Sequence, residues 1–231
     1  MNSVLPIHDL TPFTMLDFPD KMAAIIWFSG CNMRCPYCHN PDIVKGKSGK
    51  LSQSAVLSFL KDRFGLLDGA VLSGGEATLY QELVPFVREI RMMGYAVKLD
   101  TNGMRPKVVR HLLEENLVDY IALDYKAPPQ KFKAVTGIKN KSPFDETLDF
   151  LCAQKKVKIE IRTTVHTGLL DEKDVEAIAQ DLRQRGYKGR YYVQNYRAAP
   201  RKNLGNLPPQ QRELEKSVQS YPDIAYRNFS A

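Results

Sequence analysis

Three cysteines, Cys31, Cys35 and Cys38, fall within residues 29–41 (SGCNMRCPYCHNP) at the spacing C-x3-C-x2-C. Thiolates are soft ligands, and three on one short loop let the backbone curl around a single centre. A structural zinc takes four protein ligands. His39 directly follows Cys38, but adjacent residues rarely reach one metal well. The fourth cysteine, Cys152, stands far along the chain in an apolar helical pattern, where a free thiol behaves as a small hydrophobe. A four-iron cluster held by only three cysteines leaves one iron open to a small molecule. On residue types alone these centres remain in competition.

Further polar residues gather where apolar runs end. They are Ser29, Gly30 and Cys31; Ser73, Gly74, Gly75 and Glu76; Asp100, Thr101, Asn102 and Gly103; Asp124, Tyr125 and Lys126; Arg162, Thr163 and Thr164; and Gln194, Asn195 and Tyr196. If those runs are parallel strands, their carboxyl ends share the rim where ligands bind in such folds. Plainer roles exist for each. Asp-Thr-Asn-Gly is good turn chemistry. Arg162 could be an ordinary ion-pair partner and Lys126 a solvated group. Met33 reads as packing and His166 as a polar rim residue.

The elements that would carry these residues alternate. Strands are expected over 22–28, 69–75, 95–103, 119–126, 157–165 and 189–196. Amphipathic helices lie between them, with Ser52 and Asp171 as caps and Pro106 at a first helical position. Alternation of this kind implies parallel βα units. Six units are too few for a closed eight-stranded barrel, so the expectation is a single α/β domain over 1–231. It would have a core of about 20–197 and a tail over 198–231 with a short helix near Pro209.

The chain has 231 residues, 43% hydrophobic and 10% aromatic, which suits a folded core. No run approaches the roughly 20 apolar residues of a membrane span, and the start lacks a signal-peptide pattern. A cytoplasmic location is expected, where thiols stay reduced. The net charge is +7, with a pI near 9.1. Basic residues are scattered, and the densest group, KGKSGK at 45–50, reads as a solvated loop. No aromatic residues interleave with it as a single-strand-binding platform requires, so a nucleic-acid partner is not expected.

The cysteine stretch resembles the CxxxCxxC signature of the radical S-adenosylmethionine enzymes, with Tyr37 in the aromatic slot. Gly74-Gly75-Glu76 resembles the family's GGE motif. GCNMRCPYCHNP, DTNG and DYK together are similar to the branch that activates glycyl radical enzymes. The lead-in TPFTMLDFPDKMAAIIWFSGC resembles the activating protein of anaerobic ribonucleotide reductase more than that of pyruvate formate-lyase, except that Asp20 stands where glycine is expected. The resemblance implies a partial (β/α)6 barrel of parallel strands.

It also implies that Cys31, Cys35 and Cys38 each ligate one iron of a [4Fe-4S] cluster, the fourth iron being chelated by S-adenosylmethionine. Tyr37 would lie beside the adenine. Gly74 and Gly75 would allow close approach, and Glu76 would hold the methionyl amino group. Asp100 and Asp124 would face the sulfonium, directly or through a monovalent cation. Asn102 and Lys126 would bond ribose or carboxylate, Arg162 would clamp the carboxylate, and Asn195 or Gln194 would reach ribose or adenine. The implied reaction is one-electron cleavage of S-adenosylmethionine to a 5′-deoxyadenosyl radical, which takes a hydrogen atom from a glycine of a partner enzyme. Flavodoxin or ferredoxin is the implied electron donor. Two other readings compete: a radical enzyme acting on a small molecule or nucleobase, as in deazapurine biosynthesis, and a zinc-stabilised nucleic-acid-binding module without activity.

Overall fold

The apolar run at the start of the expected core folds as a strand buried on both faces, which is why it reads as continuous rather than alternating. In the computed structural model, which describes residues 5–198, 203–205 and 207–230, this strand is β2 (Ala23–Phe28). Ala23 and Ile25 pack with Phe18 and Val71. On the opposite face Phe28 meets Phe86 edge-on. No helix among the described residues is long and apolar enough to cross a membrane.

Two compact units divide the chain. The first comprises Met1–Asn32, Asp42–Thr101 and Arg105–Ile121. Its strands β1 (Ile7–Thr14), β2, β3 (Gly69–Gly74) and β4 (Ala96–Thr101) pair in that order, β1 antiparallel to β2 and the rest parallel. Between them run α1 (Pro41–Lys45), α2 (Gln53–Asp62), a 3-10 turn (Ala77–Leu79) and α3 (Leu83–Met92), and α4 (Pro106–Glu114) follows β4. Ser52 caps α2 by accepting the Ala55 amide at 3.1 Å, and Pro106 opens α4. The 45–50 loop is seated on the strands. Its Lys50 and Leu51 amides bond the Ile7 carbonyl, and the Ser29 hydroxyl donates to the Ser48 carbonyl at 2.9 Å.

β5 (Tyr120–Asp124) carries the chain into the second unit, which comprises Met33–Pro41, Asn102–Met104 and Ala122–Ala231. Here α5 (Pro129–Thr136), α6 (Ser142–Ala153) and α7 (Glu172–Gln184) alternate with β6 (Lys158–Val165) and β7 (Tyr191–Asn195). A last strand, β8 (Ile224–Arg227), pairs parallel to β7. Asp171 caps α7 through a reciprocal box with Asp174.

The six expected strands are β2 to β7, and the parallel α/β class holds. Two strands were not anticipated. β1 is half exposed and interrupted by Pro12, which falls in the register shift between Thr11 and Thr14. β8 has only four residues, all partly exposed. The helix expected near Pro209 is not formed among the described residues. Polar side chains there bond outward instead: Gln210 to Asn195, Arg212 to Glu172 and Glu213 to Asn195. These contacts outweigh a weak helical preference.

Candidate functional site

In the first unit, β2 ends at Ser29, Gly30 and Cys31. The GGE turn after β3 is tied to them, the Gly75 amide donating to the Phe28 carbonyl and the Glu76 amide to the Gly30 carbonyl, each at 2.8 Å. A Cβ on Gly75 would run into the Gly30 carbonyl, so glycine there is required by close approach of two backbones. Tyr80 completes the packing. Its hydroxyl donates to the Ser29 carbonyl at 2.6 Å and fills the space a Gly30 side chain would need. Burial and the neighbouring Cys31 raise the Tyr80 pKa, so Tyr80 stays a donor at neutral pH.

Glu76 is buried, and its Oε1 accepts from the Thr78 amide (3.2 Å), the Thr78 hydroxyl (2.5 Å) and the Thr101 hydroxyl (2.8 Å). Asp100, on β4, accepts from Ser73 at 3.1 Å and pairs with Lys98. Lys98 is itself buried and lies 5.8 Å from the Tyr120 ring centroid. Tyr80 and Lys98 were missed by sequence reasoning, and Thr101 was placed on the rim there without its bond to Glu76. The signal available was a lysine inside an apolar strand, AVKLDT, since an ammonium is buried only when paired.

In the second unit, Cys35 and Tyr37 are buried, and Cys38 closes a turn on the Cys35 carbonyl at 3.0 Å. Burial pushes the Cys35 thiol pKa up and the nearby Lys126 ammonium opposes this, while Cys38 and Asp124 add to the rise. Tyr37 Oη is buried with no hydrogen-bond partner, and Lys126 Nζ lies 5.9 Å from its ring centroid. Asp124 joins the cations: Lys126 Nζ donates to it at 3.0 Å and Arg162 Nε at 2.9 Å. Burial alone would raise the Asp124 pKa, yet Arg162 and Lys126 hold it down to about 2.

The remaining expectations separate. Asn102 Oδ1 accepts the Met104 amide at 3.1 Å, and Gly103 has φ +73°, so this pair does form the expected turn. Asn195 faces the tail, its amide bonded to Glu213, Asn228 and Gln210. Register pairs Thr164 with Gln194 and Arg162 with Tyr192, so Gln194 shares the face that carries Arg162 and Asn195 does not. Arg227, on the same face, pairs with the buried Glu160 at 3.1 Å and stacks on Tyr192. Burial pushes the Cys152 thiol up to about 12, leaving it protonated and a poor ligand.

The Radical SAM superfamily pattern matches residues 25–182, and the chain belongs to that superfamily. Within it, the chain is 32% identical to a Methanocaldococcus jannaschii protein named as a glycyl-radical enzyme activating enzyme, over 77% of this chain and 75% of that one. It is 32% identical to the pyruvate formate-lyase-activating enzyme of Clostridium pasteurianum (73% and 71% covered) and 33% identical to the pyruvate formate-lyase 1-activating enzyme of Escherichia coli K12 (75% and 73%). Among solved structures, Streptococcus suis SuiB bound to S-adenosylmethionine superposes with TM-score 0.61 at 12% identity, over 78% of this chain and 44% of that one. The anSMEcpe structure with bound AdoMet gives 0.60 at 21%, covering 74% and 50%. This chain thus spans about half the length of those structures or less, and the likeness concerns the fold.

The general function is therefore that of a radical SAM enzyme of the glycyl-radical activating kind, and the non-enzymatic zinc module is set aside. The superfamily uses a [4Fe-4S] cluster and S-adenosylmethionine. The donor set fits such a centre. Three thiols at the signature spacing are outside any disulfide, and the buried Tyr37 hydroxyl makes no well-formed hydrogen bond, its polar neighbour being the Cys35 thiol. Among the described residues, no three His, Cys, Asp or Glu side chains are drawn into a metal-binding group.

Proposed function

We infer that the chain installs a glycyl radical on an anaerobic ribonucleotide reductase. The observation that carries this reading is the buried group formed by Cys35, Tyr37, Asp124, Lys126 and Arg162, which sets fixed charges beside the Cys35 thiol of the signature. Support for the particular partner comes from the TPFTMLDFPDKM lead-in. Asp20, the residue that departs from the expected glycine, has φ +62° and so keeps a backbone that glycine would favour.

Cys31, Cys35 and Cys38 would hold the cluster. When bound, the cluster and S-adenosylmethionine would supply one-electron radical chemistry of the kind that takes a hydrogen atom from a glycine of the partner. The chain's own residues orient and shield. Thr78 and Thr101 fix the Glu76 carboxylate for an amino group. Gly74 and Gly75 keep the strand end thin, and Tyr37 offers its hydroxyl and ring. Lys126 and Arg162 are cations suited to a carboxylate, with Asp124 keeping both charged and in place. Asp100 and Asp124 suit a sulfonium or a monovalent cation. Asn102 and Gln194 offer amides. The reductant is a flavodoxin or ferredoxin, and the setting is cytoplasmic.

The test is an anaerobic electron paramagnetic resonance spectrum of the reduced, reconstituted protein with S-adenosylmethionine and the ribonucleotide reductase of the same organism. A glycyl doublet that needs all three supports the reading. A cluster signal that responds to S-adenosylmethionine without a doublet overturns the partner and keeps the chemistry.

A further inference from the structure

The tail after β7 returns to the cysteine loop. The Leu204 amide donates to the Cys38 carbonyl at 3.1 Å, and the Gly205 amide donates to the Pro36 carbonyl at 2.9 Å. Gly205 lies flat against Pro36: an added Cβ would stand 2.5 Å from the Pro36 Cβ and 2.7 Å from its Cα. Two consecutive backbone donors thus pin two carbonyls of the segment that carries Cys35 and Cys38.

The strap is anchored at both ends. Upstream, the buried Asn203 donates to the Tyr196 hydroxyl at 3.1 Å and accepts the Leu207 amide at 2.8 Å. Tyr196 is wedged between His39, the neighbour of Cys38, and His166, each ring centroid 5.1 Å away. Downstream, His166 Nδ1 accepts the Gly168 amide at 3.0 Å, which places the imidazole proton on Nε2. Nε2 then donates to the Pro208 carbonyl at 3.1 Å. Gln210 closes the anchor by donating to Asn195 and accepting the Thr167 amide. His166 and Asn195 both serve this attachment.

We propose that residues 203–205 are a positioning clamp on the Cys35 and Cys38 loop, set by Asn203 and Gly205, and that the clamp governs how firmly the loop retains its cluster. The clamp acts through the loop backbone and touches no reacting atom. It rests on the reading of Cys35 and Cys38 as cluster ligands. A ligand loop held by two extra hydrogen bonds opens less often, so its thiolates are less often surrendered to a competing chelator.

The experiment compares the reconstituted protein with its Gly205→Val, Asn203→Ala and Lys216→Ala variants. It follows anaerobic iron release to a coloured chelator, with thermal unfolding measured beside it. Gly205→Val and Asn203→Ala should release iron about tenfold faster, the factor expected for losing roughly one hydrogen bond. Lys216→Ala, whose ammonium donates to the Ser230 carbonyl at 3.0 Å and lies 6.0 Å from the Phe229 ring centroid, should match the wild type. Equal release rates in all four proteins overturn the clamp. Amide exchange supplies a readout independent of iron: Leu204 and Gly205 should be protected in the wild type, and exchange as fast as exposed amides also overturns it. A wild type that takes up no iron would instead overturn the cluster reading.

Discussion

Tyr80 donates its hydroxyl hydrogen to the Ser29 carbonyl at 2.6 Å, across 51 positions of sequence. The bond fixes the turn from which Cys31 emerges, and the same hydroxyl occupies the space that makes Gly30 a glycine. Tyr80→Phe keeps the ring and removes the bond, leaving a half-buried carbonyl without this donor. The expected cost is about 1–2 kcal/mol in urea unfolding, with lower iron retention after reconstitution. Unchanged stability and unchanged iron would show that the turn holds without Tyr80.

The charges around Asp124 make stability depend on pH. The folded pKa lies below the unfolded one, so the contribution is complete above about pH 4 and is lost as pH falls toward about 2. On the order of 2 kcal/mol is involved. Asp124→Asn should flatten that part of the acid profile. It should also cost roughly 3–5 kcal/mol at neutral pH, because Arg162 and Lys126 lose a buried partner. Urea melts from pH 2 to 7 on both proteins measure this. An acid profile identical in the two would exclude Asp124 as its source.

Asp20 provides a backbone test. With φ +62° it pays a left-handed strain that glycine would not. Asp20→Gly should therefore stabilise the fold by about 0.5–1 kcal/mol, after allowance for the greater freedom of glycine when unfolded. Asp20→Pro should be strongly destabilising, since proline locks φ near −65°. A destabilised glycine variant would mean that the Asp20 side chain contributes more than its backbone costs.

The cysteines divide by role. Cys35→Ala is expected to abolish cluster assembly, read as iron and sulfide content and visible absorption. Cys152→Ala should leave these intact, because burial keeps that thiol protonated up to about pH 12. Loss of iron in the Cys152 variant would require a revised ligand set.

How much was legible follows from how local each signal was. β2 to β7 announced themselves as apolar runs with turn residues at their ends, and Ser52 and Asp171 as caps. β1 was hidden because Pro12 and a half-exposed pattern argued against a strand. β8 was hidden because four residues carry too little pattern. The GGE and cysteine residues were visible as motifs. Tyr80 and the strap were not, since their roles arise from contacts between distant positions, whereas Lys98 pairs with Asp100 only two residues on and was legible as a lysine inside an apolar strand. Period-two reasoning from Arg162 could have preferred Gln194 to Asn195. Nothing local could have shown that the Asn195 amide is consumed by the tail.

Pro12 has a consequence beyond the placement of β1. A sheet that ends in a regular strand offers a ladder of unsatisfied donors on which another chain can polymerise. Here the terminal strand of the first unit has lost one donor to proline and has its spacing broken twice by register shifts. A foreign strand could match only a few residues before falling out of step. The strand that was hardest to recognise therefore also guards the chain against edge-to-edge aggregation while it folds.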